Sequence, residues 1–292
     1  MATTRGTIFE PELVKNLIAK TIERSSIAAL CKQTPMAFNG QKEMIFSLDN
    51  EVSVVGESGT KVHGGLSIDP VTIMPIKIEY GARVSDEFLY STEEEKINIL
   101  QAFSEGFAKK VAKGLDLMVF HGVNPKAGTA SSVIGENNFA TKVTQAVTYD
   151  STDPEGNLED AIALVQGSSM EVTGMAFAPT FATALAGVTN GSNGPQKYPQ
   201  FAFGANPGNL NGMPVDVNST VSANNSEIKA IVGDFADMFK WGYAKEVPLE
   251  VIKYGDPDNS GNDLKGYNQV YLRSEVYIGW GILNEDAFAT IK

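Results

Sequence analysis

STEEEKINILQAFSEGFAKKVAKGLDLMVFHG, residues 91–122, is the stretch around which the rest of the chain can be ordered. Two capping boxes overlap at its start, Ser91 with Glu94 and Thr92 with Glu95, each pairing a hydroxyl with a carboxylate three residues on. Three successive glutamates suit the positive end of a helix dipole. Leu100, Phe103, Phe107, Val111, Leu115 and Met118 then recur at spacings of three and four and form one apolar face. The pattern predicts a single helix from Glu93 to Phe120, about 42 Å long at the α-helical rise. Gly122 and Pro125 end it, and Gly106 and Gly114 weaken it enough to permit bending.

Upstream, residues 44–83 hold two β-rich runs separated by a Gly-rich turn from Gly56 to Gly65. Pro70 and Pro75 lie in the second run. A proline removes a ladder donor, so this run belongs at a sheet edge or in a free-standing ribbon. Arms of about 15 residues would each span roughly 50 Å. An isolated two-stranded ribbon is marginal in water, so it needs a surface, either its own domain or a neighbouring subunit. Further upstream, Pro11 at an N1 position and the spacing of Val14, Leu17, Ile18 and Ile22 predict a helix, read either as an arm on a neighbour or as a core helix.

Downstream, Asn157–Gln166 is a short amphipathic helix. Residues 174–214 carry Lys197 as their only charge, with seven glycines and five prolines, and read as irregular loops packed on other protein surface. β-rich runs return after Ile228, interrupted by the polar loop Gly255–Asp263.

Composition narrows the chemistry. The 292 residues are 42% hydrophobic and 20% charged, a globular composition, and no apolar run approaches the ~20 residues of a membrane helix. Net charge is −12, carried mostly by the second half: residues 1–149 hold 15 basic and 17 acidic side chains, residues 150–292 hold 8 and 18. That balance argues against a dedicated nucleic-acid binder, and Lys109, Lys110 and Lys113 offer only a weak, nonspecific polyanion patch. One cysteine and two histidines exclude an internal disulfide and a four-cysteine or Cys2His2 zinc site. Cys31, among apolar neighbours in SSIAALCKQ, reads as a small buried hydrophobe. The first residues lack the basic and apolar regions of a secretory signal, which points to a reducing cytoplasm.

No catalytic motif emerges. His63 falls in the hairpin turn and His121 at a helix end, and G-x-S-x-G, P-loop and G-x-G-x-x-G patterns do not occur. The acid pairs Asp86-Glu87, Glu159-Asp160 and Glu285-Asp286 read as surface charge, since neighbouring acids on a strand point to opposite faces. Asp256–Asp263 resembles a calcium loop but departs from the EF-hand spacing and lacks the closing Glu, so it reads as a solvated turn. No metal or cofactor is expected.

The order of arm, long hairpin, long helix, Gly/Pro-rich middle and β-rich end resembles the major capsid protein of tailed bacteriophages, the Hong Kong 97-type fold. Several stretches carry the resemblance. Val54-Val55-Gly56-Glu57, Pro75-Ile76-Lys77 and Arg83–Leu89 resemble the family's extended loop and its return. Leu115–Gly122 with Pro125 and Gly128 resembles the end of its spine helix. Leu210–Val215 resembles its G-x-P-V segment and Ala230–Phe235 its G-D-F strand, while Arg273 and Asp286–Ala289 resemble its last strands.

The resemblance implies an α+β phage major capsid fold. Its expected parts are an N-terminal arm and entry (1–43), an extended hairpin loop (44–83), a peripheral domain with spine helix and P-loop (84–135 and 246–275), and an axial domain (136–245 and 276–292). It further implies self-assembly through pentamers and hexamers into an icosahedral shell around double-stranded DNA. The chain would then belong to a virion assembled in the host bacterial cytoplasm, with no membrane partner and no enzymatic activity. A separate scaffolding protein, a portal and a decoration protein are the expected partners; because no long helical segment precedes the arm, scaffolding is expected on another chain or as a segment already removed. Glu57, Lys61, His63, Arg83, Lys197, Asn259 and Asn262 are the candidate intersubunit contacts. Some family members crosslink a hairpin lysine to a P-loop asparagine, a role open to Lys61 with Asn259, Asn262 or Asn268. The alternatives are an encapsulin-like nanocompartment shell, distinguished by its cargo, and a monomeric hydrolase using carboxylates such as Asp86 or Glu159, which requires a convergent pocket.

Overall fold

A computed structural model describes residues 25–48, 52, 54–60, 63–191 and 194–292. The expected N-terminal helix and Lys61 lie outside these residues. Helix α1 (Ser26–Leu30) leads into strand β1 (Gln41–Leu48), which pairs antiparallel with β2 (Leu66–Ile73) as a separate two-stranded sheet. Strand β3 (Ile76–Ser85) follows and then the long helix α2 (Glu93–His121). After α3 (Phe139–Lys142) and β4 (Ala146–Val147) come α4 (Pro154–Gly167), β5 (Gly174–Phe177) and α5 (Pro179–Ala186). Six strands complete the described chain: β6 (Asn209–Leu210), β7 (Met213–Val217), β8 (Ala230–Gly233), β9 (Phe239–Ile252), β10 (Gln269–Ile282) and β11 (Phe288–Ile291). They form a three-stranded sheet β3-β10-β9 and a six-stranded sheet β4-β11-β8-β5-β7-β6.

The long helix runs one residue beyond its expected end. Thr92 and Glu95 form the capping box, and Gly122 closes the helix in the left-handed conformation, φ 65°, with its N–H on Met118 O. The side of α2 carrying Leu100, Phe107, Val111, Leu115 and Met118 is buried as its spacing predicted. Its C-terminal half packs on Phe139, Phe235, Trp241, Val276, Trp280 and Phe288, with the Phe139 and Phe288 rings perpendicular at 5.0 Å. A second core lies on the other side of the six-stranded sheet. There Leu158 and Val165 of α4 meet Phe177, Phe181, Leu185, Phe201 and Val215.

Several expectations are corrected. The hairpin arms pair over eight residues each, not fifteen, or about 26 Å. The second β-rich run breaks at Met74-Pro75, and its remainder, β3, pairs instead with β10 from Ile76↔Ile278 to Ser85↔Gln269. Pro75 ends the ribbon because it cannot continue the ladder, while Pro70 sits within the ribbon opposite Met44, where each strand is an edge.

Residues 174–214 are not irregular loops on foreign surface. They hold β5, α5, a 3-10 segment (Pro199–Gly204) and β6, and their apolar side chains close a core of this chain. Of the β-rich stretch before the polar loop, Phe239–Ile252 forms the one strand β9. Pro248 is accommodated at a bulge, where partners step from Val247↔Glu275 to Glu250↔Arg273 on the outer strand of its sheet.

Finally, none of the three acid pairs lies on a strand. Asp86-Glu87 and Glu285-Asp286 open 3-10 turns, and Glu159-Asp160 lies within α4. Opposite strand faces therefore do not explain their separation. Among the described residues no three His, Cys, Asp or Glu side chains converge as a metal site would require, and no helix is long and apolar enough to cross a membrane. Cys31 is buried against Phe239 O, and burial pushes its thiol up to about 12, so it behaves as the small hydrophobe expected.

Candidate assembly surfaces

The ribbon is rooted firmly at its base and exposes apolar side chains farther out. Ile73, at its base, is buried against β10, where Gly279 and Gly281 leave room: a Cβ on Gly281 would lie 2.8 Å from Ile73 Cγ1. Lys240 of β9 pairs with Glu43 of β1 at 2.8 Å, and Phe38 sets its ring edge-on to Tyr277 at 4.9 Å. Farther out, Met44, Val52, Val54, Val55 and Ile68 are exposed. Glu57 and His63 are exposed in the connection between the strands. Exposed apolar side chains on the ribbon (Met44, Ile68) and in its connection (Val52, Val54, Val55) are the pattern of a surface awaiting a partner.

The loop between β9 and β10 gathers three other sequence candidates. Arg83, on β3, turns its guanidinium into this loop. Four oxygens share the two N–H groups of its Nη2: Asp256 Oδ1 at 2.7 Å, Asp258 Oδ1 at 2.5 Å, Ser260 Oγ at 2.6 Å and Asn262 O at 2.9 Å. Its Nε donates to Asp258 Oδ2 at 2.9 Å and its Nη1 to Gln269 Oε1 at 3.2 Å. Asn259 takes a left-handed conformation, φ 52°, at the turn. The guanidinium holds the Asp258 carboxyl far below the usual carboxylate range. Arg83 and Asn262 are thus engaged inside their own subunit. Tyr254 and Tyr267 are exposed at the loop's base, with Lys265 Nζ 5.5 Å from the centre of the Tyr254 ring.

Lys197 is likewise paired at home. Its Nζ lies 2.6 Å from Glu155 Oε2 at the start of α4, and the Tyr198 hydroxyl donates to Glu155 Oε1 at 2.8 Å. These two partners lower the Glu155 carboxyl. Nearby, Phe203 is fully exposed with φ 59°, an aromatic side chain held in solvent by a left-handed backbone.

The site that the sequence reading missed is Asp116. This carboxylate is buried in the apolar half of α2 and accepts from Ser25 Oγ at 2.6 Å, Thr220 Oγ1 at 2.7 Å, Ser26 N at 3.0 Å and Ile27 N at 3.2 Å. It therefore caps α1 from another helix, and it ties the point where residues 1–24 join the described body to both α2 and the 218–220 loop. Burial pushes the carboxyl up to about 6, against the lowering effect of those donors. Asp216 holds the Ser26 hydroxyl at 2.5 Å, and His121 Nε2 lies 2.8 Å from Thr220 O. A cleft of about 530 Å³ opens beside this network, lined in part by Ser25, Lys109, Lys113, Asn206 and Asp216. The signal for Asp116 was present, a lone acid between Leu115 and Leu117 on an apolar stripe.

Comparison with known proteins gives a consistent result. A family model described as the phage capsid family matches residues 6–292. A chain from Mycobacterium phage Ogopogo shares 30% identity and superposes with a TM-score of 0.79, covering 92% of this chain and 91% of its own. One from Gordonia phage Cozz shares 25% identity, with a TM-score of 0.76 over 92% and 86%. A chain described as the capsid of an empty GTA particle, computed with C5 symmetry, shares the fold at 13% identity, with a TM-score of 0.65 over 92% and 90%. No curated protein is similar enough to count as a match.

Proposed function

The chain belongs to the phage capsid family, and from that premise we propose how its parts divide the work of building a shell. Membership makes it a self-assembling, non-enzymatic capsid protein of an icosahedral head, and so a component of the virion. In the proposed division, the β1–β2 ribbon is the extended loop, α2 is the spine helix of a peripheral domain that includes the Arg83 loop, and the six-stranded sheet is the core of an axial domain. Residues 1–43 supply the arm and entry.

The observation that carries this reading is the ribbon itself. Its root is fixed by buried Ile73 and the Lys240–Glu43 pair, while Met44, Val54 and Ile68 face solvent. Burying exposed apolar surface is favourable by roughly 25 cal/mol per Å², and a second copy of the chain offers that surface in a repeating arrangement. Glu57, Lys61 and His63 then meet a neighbour through the ribbon, Arg83, Asn259 and Asn262 shape the loop that meets neighbouring loops, and Lys197 belongs to the axial contacts of pentamers and hexamers. The exposed Lys109, Lys110 and Lys113 on α2 are the contacts for packaged DNA, acting without sequence preference. Scaffolding, portal and decoration proteins complete the assembly.

Deleting Glu57–Gly65 tests the reading. The variant should remain folded by circular dichroism yet form no closed shells by negative-stain microscopy and sedimentation, whereas the unaltered protein forms shells or capsomers. A variant whose subunit unfolds would make the ribbon a part of the core and overturn its role as an intersubunit strap.

A further inference from the structure

The loop that Arg83 enters has the oxygen spacing of a calcium loop, and the guanidinium stands where the ion would. In an EF-hand loop, side chains at positions 1, 3 and 5 and the backbone carbonyl at position 7 supply oxygens, with glycine at position 6 for the sharp turn. Asp256, Asp258, Ser260, Gly261 and Asn262 reproduce that series, and Gly261 has φ 83°. The four oxygens that converge on Arg83 Nη2 belong to positions 1, 3, 5 and 7, including the Asn262 carbonyl rather than its side chain. The departure from the EF-hand lies in the later positions: position 9 is the buried Leu264 and position 12 is Tyr267, where a bidentate glutamate would stand.

We propose that Arg83 is the resident cation of this loop: its guanidinium, delivered from β3, replaces a divalent ion and templates residues 256–262. Several features support the assignment. The guanidinium is always charged, so it neutralises Asp256 and Asp258 at any working pH. While Nη2 meets three side chains and a carbonyl, Nε and Nη1 of the same fork hold Asp258 Oδ2 and Gln269 Oε1, which fixes its orientation as a single-point ammonium would not be fixed. The strand that delivers it is fixed, since Arg83 lies opposite Tyr271 in the β3–β10 ladder. The loop's own bonds, Ser260 N and Gly261 N to the Asp256 carboxylate at 3.0 and 2.7 Å, aim that carboxylate at the guanidinium. With Arg83 removed, two carboxylates, a hydroxyl and a carbonyl would face one another with no positive charge between them. The inference concerns the subunit alone and holds wherever the loop lies in a shell.

The test is Arg83→Ala, with terbium as the probe and Tyr271, opposite position 83, as the sensitising ring. The variant should bind terbium saturably, lose the signal to added calcium, and gain thermal stability in millimolar calcium. Lacking the closing glutamate, its calcium dissociation constant should fall near about 10⁻⁴–10⁻³ M. The unaltered protein should show neither saturable luminescence nor a calcium-dependent melting shift, and Asp258→Ala added to Arg83→Ala should abolish both. Terbium binding by the unaltered protein as strong as that of the variant, or no saturable binding by the variant, overturns the proposal. If Arg83→Ala does not fold alone, refolding is run with and without calcium. Recovery with calcium supports the assignment, and failure to recover overturns it.

Discussion

Ser25 donates its hydroxyl to the Asp116 carboxylate at 2.6 Å, across 91 positions of chain, and so pins the start of the described body to the buried face of α2. Asp116→Ala would leave the N–H groups of Ser26 and Ile27 and the Thr220 hydroxyl without their acceptor. Buried groups stranded in this way cost about 1–3 kcal/mol each. The variant should lose about 3 kcal/mol or more, and Asp116→Asn, which keeps one acceptor oxygen, should lose less. Thermal or urea unfolding of the two variants gives the order directly.

The same carboxyl predicts an unusual pH response. Burial raises it from 3.8 to about 6, so the folded state holds the proton more tightly than the unfolded state does. Stability at this site therefore rises as pH falls from 7 towards 4, by about 3 kcal/mol at most for a shift of this size. His121 acts in the opposite sense. Burial lowers its pKa below 6.5, so acidification through that region costs stability at the other side of Thr220. The melting-temperature gap between the unaltered protein and Asp116→Asn should widen from pH 7 to pH 5. A constant gap would mean that Asp116 does not titrate in this window.

The ribbon's take-off rests on a close fit between Ile73 and Gly281. Ile73→Ala should cost about 2–4 kcal/mol by emptying a fully buried site. Gly281→Ala forces a Cβ to within 2.8 Å of Ile73 Cγ1, so something must shift. Combined, the two changes relieve each other, and a double-mutant cycle should show coupling of about 1 kcal/mol or more. Additive losses would separate the two residues. Shell formation measured by sedimentation on the same variants reports whether the ribbon's angle matters to assembly.

What was legible in the sequence was whatever local chemistry decides. The capping residues Thr92 and Glu95 and the apolar stripe from Leu100 to Met118 specify α2 without reference to anything distant, and α2 ends one residue from its expected boundary. The two-stranded ribbon was legible from the prolines. By contrast, β5 and β8 are four-residue strands buried on both faces, so they show no alternation, and β5 exists because β7 and β8 pair with it. Local Gly and Pro content misdirected the reading of 174–214 for that reason. Arg83 and the 256–262 loop lie 173 positions or more apart, as do Asp116 and its partners at 89 and beyond, so neither network has a local signature of its pairing. Asp256 to Asn262 carried half of a calcium pattern whose cation came from another strand.

Gly106 isolates the contribution of helix flexibility. It lies in the exposed part of α2, and a Cβ there would meet nothing within 4 Å. Gly106→Ala should therefore introduce no clash and stabilise the subunit by up to about 1 kcal/mol through helix propensity. If assembly bends α2 at this point, the same change stiffens the hinge, and shells should form or expand more slowly even though the subunit is more stable. A gain in melting temperature with a slower assembly rate by light scattering is the expected pair of results, and it cannot arise from simple destabilisation. Equal assembly rates with the gain in stability would place the bend elsewhere, with Gly114 less suited to it, since its Cα faces Pro125 and a Cβ would sit in contact with that ring at 3.4 Å.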